Sequence, residues 1–260
     1  TPQVIVVMSA HWVTPNGGSI SSNEQPETIY DFYGFPQELY NMHYRAPGNT
    51  AFAMELSTIH PKIIPSNEWG FDHGTWSVLA QMYPEAKIPV LQLSINESLS
   101  PSEEAALIAE LQFLRQHGVL FIGSGNIIHN LRMISWEDKT PFSWAVDFDA
   151  KVKSLIEKRD VQSLANYHAL GSAAKFSIPT DEHYRPMLGA LALATDQDTL
   201  HFFNEDILMG SVGMRSFVLE PEFYIRSPIR TLFTKLLTSQ TVRTARGFFG
   251  LADNGIDEST

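Results

Sequence analysis

Nine histidines and no cysteine leave this chain one strong set of metal donors, imidazole with carboxylate. Four of the histidines stand in short motifs: His11 in SAHW, His73 in GFDHG, His129 in SGNIIHN and His183 in DEHYRP. Each follows an apolar run or adjoins a tight turn, the placement that a site at the edge of an α/β sheet requires. Imidazole and carboxylate suit iron, zinc or manganese, and thiolate clusters are excluded.

The neighbours of these four are small or conformationally special. Ser9-Ala10 keep the backbone before His11 uncrowded, and Gly123-Ser124-Gly125-Asn126 before His129 let the chain come close to a ligand. Gly70 and Gly74 bracket Phe71-Asp72-His73, where Asp72 could orient an imidazole or help form the turn. Asp181-Glu182-His183 offers a nitrogen or a carboxylate, and Tyr184 adds a phenol. The remaining histidines carry plainer expectations. His117, before Gly118, is a cation favoured by a helix C-terminus. His60, His168 and His201 are structural or solvated, and His43 in HYRAPG sits in a turn-rich loop that could line a pocket.

Two chemistries fit such a site. Non-haem iron(II) held by three protein ligands leaves adjacent positions for both oxygens of a catechol and for dioxygen. Ring opening then needs a proton taken from the catechol and one delivered as the O–O bond breaks, work for a neutral imidazole. A zinc hydrolase would use the same residues to bring the pKa of a bound water to about 7. A non-catalytic fold kept for binding is the third possibility.

The elements that must position these residues are legible in part. Val4 to Met8 is an apolar, largely β-branched run, as in a strand covered on both faces, with His11 expected just past its carboxyl end. Further strands are predicted at Ile88 to Ser94 and Val119 to Gly123. Between them lies a helix with Ser100 as N-cap, Pro101 at its first position and Glu103 closing a capping box. Its apolar stripe runs through Leu107, Leu111 and Leu114, and Gly118 ends it. Strand, helix, strand implies a parallel crossover, which puts His11 and Ser124-Gly125-Asn126 on one ligand-facing edge. Pro15 to Pro47, rich in Gly, Pro and aromatics and including the turn-like DFYGFP, is a long excursion suited to walling a pocket.

Composition bounds the rest. With 260 residues and 43% hydrophobic content the chain can bury a substantial core as one large α/β domain or two small ones. A net charge of -11 argues against a nucleic-acid partner and for a small substrate. No apolar run reaches membrane-spanning length, TPQVIVVMSA has no signal-peptide pattern, and the lack of cysteine fits a reducing cytoplasm. Arg226, Arg230, Lys235, Arg243 and Arg246 make residues 221–250 basic, able to dock on the acidic body.

SAHW, the DFYGFP…HYRAPG stretch, WGFDHGTW, SGNIIHNLR and PTDEHYRPML, in this order, resemble the extradiol dioxygenases of the DOPA 4,5-dioxygenase type. These are class III ring-cleaving enzymes related to the protocatechuate 4,5-dioxygenase β-subunit. The resemblance runs from Val4 to Leu219. It implies an α/β fold with a mostly parallel central sheet flanked by helices, and a mononuclear iron(II) site often found filled by zinc. It also implies a small catechol such as L-DOPA and dioxygen as partners. His11 and His183 match metal ligands. His129 matches the acid/base histidine, which in zinc-filled relatives also contacts the metal, and His73 matches a pocket histidine that assists substrate and oxygen.

Members of that family begin with an earlier strand ending in an HGSP-like motif whose histidine is the first ligand, and this sequence starts after that point. The expectation is therefore a single catalytic domain over residues 1–220 without the first strand, followed by an atypical extension over 221–260. Weakened metal binding and lost or slow turnover are expected with it.

Overall fold

Val4, Val6 and Met8 pack with Ile20, Leu56, Leu91 and Ile108 on one side of the first strand, whereas Ile5 and Val7 pack with Tyr44, Phe71, Trp76 and Leu79 on the other. This period-two division is that of a strand buried between two layers, and it explains why the run is apolar at every position. The computed structural model describes residues 1–221; the basic segment carrying Arg226 to Arg246 lies outside them.

Five strands form the central sheet: β1 (Val4–Thr14), β2 (Gly18–Ser21), β3 (Ile63–Ser66), β4 (Val90–Asn96) and β5 (Val119–Ser124), in the order β3-β2-β4-β1-β5. β1 runs parallel to β4 and β5, and β2 to β3, while β2 meets β4 antiparallel. The flanking helices are α1 (Gln37–Tyr40), α2 (Thr50–Ile59), α3 (His73–Met82), α4 (Pro101–Ala109), α5 (Ser143–Glu157), α6 (Val161–Ala165), α7 (Ser172–Ser177) and α8 (Arg185–Ala192). Phe148, Val152, Ile156, Leu164, Tyr184 and Leu188 form a further core among α5 to α8. Two short ribbons follow, β6 (Asp198–Phe203) with β9 (Ser216–Pro221) and β7 (Ile207–Leu208) with β8 (Val212–Gly213). The architecture is a single α/β domain with a mostly parallel sheet.

The capping box that opens α4 forms as its sequence predicts. The Glu103 amide donates to Ser100 Oγ at 3.3 Å, and Glu103 Oε2 accepts from the Ser100 amide at 2.8 Å. The helix does not run unbroken to Leu114. It ends at Ala109, and the chain tightens into a 3₁₀ stretch over Gln112–His117 before Gly118 turns it with φ 78°. His117 sits in that last turn with Nδ1 3.0 Å from the Phe113 carbonyl.

The first strand also differs from expectation. It does not stop at Ser9-Ala10; it continues to Thr14 with His11 inside it. From Met8 to Val13, β1 advances five residues while β4 advances only two, from Leu93 to Ile95. Such an irregularity bends the strand and re-aims its side chains, so His11 occupies a bulge.

Candidate active site

Ser9 of β1 stands opposite Ser124 of β5, so the His11 bulge and the loop leading to His129 leave the same edge of the sheet. Helix α3 begins at that edge with His73 as its first residue and Asp72 as its N-cap. Asp72 Oδ1 accepts from the Thr75 amide at 3.1 Å and from Ser9 Oγ at 2.8 Å, and its Oδ2 accepts from Gln92 Nε2 at 2.7 Å and Trp69 Nε1 at 3.1 Å. Asp72 is thus the former of the turn, fully buried and tying α3 to β1 and β4. Ser124 Oγ adds a bond to the Gly74 carbonyl at 2.6 Å. Gly74 is required by proximity: a Cβ there would lie 2.5 Å from Ser9 Oγ and 3.2 Å from His11 Cδ2.

His129 and His183 come from the opposite side of the edge. The His129 amide donates to the Ser177 carbonyl at 3.0 Å, and His129 bridges to Val212. Asn126 holds His183 twice, donating its amide to the His183 carbonyl at 2.8 Å and placing Oδ1 3.2 Å from His183 Nδ1. Asn126 Nδ2 is committed to the Gly213 carbonyl at 2.9 Å, so the oxygen must face the ring. The His183 proton therefore resides on Nδ1 and Nε2 is left with its lone pair. Gly125 lets this contact form, since a Cβ on it would lie 2.3 Å from the His183 carbonyl oxygen. Arg185, buried among Glu104 at 3.3 Å and Asp181 at 2.9 Å, anchors the segment to α4.

The four imidazoles form a row. Ring centroids lie 4.0 Å apart for His73 and His11, 5.2 Å for His11 and His183, and 3.5 Å for His183 and His129. Burial is the first cause holding His11, His129 and His183 below the ordinary imidazole pKa, and the neighbouring imidazoles add to it. His183 is pushed down to about 2, so these rings are neutral donors at pH 7.

Asp31 joins the row although it was not among the expected site residues. Its Oδ1 accepts from the His73 amide at 2.8 Å, and Oδ2 lies 3.0 Å from His73 Nδ1 and 3.3 Å from His11 Nδ1. Burial raises the Asp31 pKa, but the bond from the His73 amide and the two imidazoles beside Oδ2 outweigh that and hold it below the usual value. The available signal was an acidic residue opening the aromatic DFYGFP motif. The other histidines stay apart from the row: His43 meets the Tyr30 hydroxyl at 2.9 Å, His60 pairs with Glu110, His201 with Glu220, and His168 packs on Tyr167.

A groove of about 940 Å³ runs along the outer edge of β5 and reaches the row at one end. Of the four clustered imidazoles, His73 alone lines it, together with Phe32, Phe35, Leu39 and Met42 from the excursion after β2 and Trp76 from α3. Among the described residues one end of the row could hold a divalent cation, in a grouping that does not include His129 or His183. His11, Asp31 and His73 bring three donor atoms within 4.8 Å of one another. Asp31 Oδ2 and His73 Nδ1 are moreover buried and close without being aligned as a hydrogen bond.

A mostly parallel α/β sheet with clustered imidazoles at its edge, joined to a family match over residues 1–211, defines the class. The chain belongs to the LigB family, described as the catalytic LigB subunit of aromatic ring-opening dioxygenase, and so to the class III extradiol oxidoreductases. It is 42% identical to a 4,5-DOPA dioxygenase extradiol from Escherichia coli (strain K12) over 224 residues, 83% of this chain and 81% of that one. A protein of the same description from Beta vulgaris is 33% identical over 74% of each chain. The crystal structure of an uncharacterized protein from Escherichia coli K12 superposes with a TM-score of 0.72 at 36% identity, covering 84% of this chain and 86% of that one. The expectation of lost activity finds no support in these relationships. No described helix is long and apolar enough to cross a membrane.

Proposed function

We propose that this chain is a metal-dependent extradiol dioxygenase that opens the ring of a catechol such as L-DOPA, with the catalytic unit over residues 1–220. The observation that carries the proposal is the row of four imidazoles, three of them held neutral by burial, at the edge of a LigB-family sheet. His11 and His183 would hold iron(II), with His129 close enough to His183 to contact a zinc ion in the isolated protein. When bound, iron(II) supplies adjacent positions for the catechol oxygens and dioxygen.

The side chains do the rest. His129, neutral because it is buried, takes a proton from the catechol hydroxyl and returns it as the ring opens. Asn126 holds His183 in one tautomer and one orientation. An aromatic substrate arriving through the groove meets Phe32, Phe35 and Trp76 beside His73, an apolar wall that orients the ring. A hydrolytic use of the residues has no observation in its favour.

Dioxygen uptake with L-DOPA, measured on the full chain supplied with iron(II) under reducing conditions, tests the proposal. A yellow ring-opened product formed with one dioxygen consumed per catechol is the expected result. Iron(II) binding without oxygen uptake on any catechol would reject it.

A further inference from the structure

Asp31 faces two of the clustered imidazoles with one oxygen atom. Its Oδ1 is fixed by the His73 amide at 2.8 Å, which stops the carboxylate from rotating away. The remaining oxygen, Oδ2, is shut off from water and lies 3.0 Å from His73 Nδ1 and 3.3 Å from His11 Nδ1. A carboxylate oxygen carries two lone pairs and can accept from two N–H donors. The second torsion of histidine is soft, so a small ring rotation aligns the His73 contact.

From this geometry we propose that Asp31 is a positioning residue that sets the tautomer of His11 and His73 together, accepting Nδ1–H from both. Each ring then turns its unprotonated Nε2 away from the carboxylate. His183 obeys the same rule through a different acceptor, with its Nδ1 on Asn126 Oδ1. Three of the four imidazoles in the row thus have Nδ1 facing an oxygen of the protein, which leaves their Nε2 atoms as the available donors. The competing arrangement puts a cation directly among Asp31 Oδ2 and the two Nδ1 atoms. It would make Asp31 a ligand and break the pattern that His183 sets.

The proposal rests on His11 and His73 belonging to the dioxygenase site, but its test does not need turnover. Nitrogen-15 spectra of the histidine-labelled, metal-free full chain, recorded above about pH 8 where free imidazoles are neutral, report which ring nitrogen carries the proton. The expected result is Nδ1–H at His11 and His73, moving toward Nε2–H at both in Asp31→Ala. Zinc(II) affinity should fall about 10–100-fold in that variant, at unchanged stoichiometry. Nε2–H at either ring in the unaltered chain would overturn the proposal, as would tautomers that Asp31→Ala leaves in place. Zinc-shifted Nδ1 signals in the loaded chain would overturn it in favour of Asp31 as a ligand. If Asp31→Ala does not fold, the spectra of the unaltered chain, metal-free and zinc-loaded, decide the question.

Discussion

His129 and His183 stack face to face, their centroids 3.5 Å apart and their planes 8° from parallel. Two imidazolium ions cannot share that geometry, because like charges at such a distance repel strongly where water is scarce. The pair therefore holds at most one proton more than its neutral state. An acid/base histidine benefits from this arrangement, since the ring beside it remains neutral while it takes up the substrate proton.

The same arrangement fixes a pH dependence of stability. His11, His129 and His183 have folded-state values below the ordinary 6.5, so the unfolded chain takes up protons first as pH falls. The metal-free chain should keep its full stability above about pH 6.5 and lose it from there toward the folded values, with a slope of about 1.4 kcal/mol per pH unit for each proton. Asp31, whose pKa is lowered from 3.8, adds a second loss in more acidic solution. Urea midpoints measured from about pH 8 down to about pH 3 check both losses, and His183→Asn should flatten the decline between about pH 6.5 and about pH 5.

His129→Ala should reduce turnover of a catechol by about 10²–10⁴-fold, the range ascribed to a general acid/base, while leaving iron(II) affinity nearly unchanged. His183→Ala should instead lose the metal. Parallel metal titrations and oxygen uptake separate the two roles, and equal loss of metal in both variants would count against the assignment of His129.

Asp72→Ala removes the cap of α3 and leaves Ser9, Gln92 and Trp69 without an acceptor in a buried place. A cost of about 3 kcal/mol or more is expected from the lost cap and the orphaned donors. For a domain of this size that lowers the melting temperature by roughly 6–12 °C. A shift of about 1 °C or less would mean that the network relaxes without strain.

Gly125→Ala places a methyl group 2.3 Å from the His183 carbonyl oxygen, and backbone must move to relieve it. Displacing His183 by about 1 Å should cost about 10²-fold in turnover with the fold retained. Circular dichroism alongside kinetics tests the separation.

What the sequence showed depended on whether the cause was local. The capping box of Ser100 and Glu103 needs only four consecutive residues, and the two-sided burial of Val4 to Met8 shows in an unbroken apolar run. The end of β1 was misplaced because the slip between Met8 and Val13 arises in pairing with β4, far along the chain. Likewise Asp31 reads as part of a turn in DFYGFP until the fold carries it to His11 and His73. The break of α4 at Ala109 had no Pro or Gly to announce it, and the apolar stripe continued through Leu111 and Leu114 regardless.

β1 lies in the interior of the sheet, but both of its neighbours are encoded much later, β4 from Val90 and β5 from Val119. During synthesis at about 5–20 residues per second, β1 waits on the order of ten seconds before β5 exists to cover one of its edges. Until then VIVVM keeps an open, pairing-competent edge, the kind of feature that promotes aggregation. His183 emerges later still, so the site cannot be complete until that residue has been made. The central place of this strand thus ties its burial to segments made long after it.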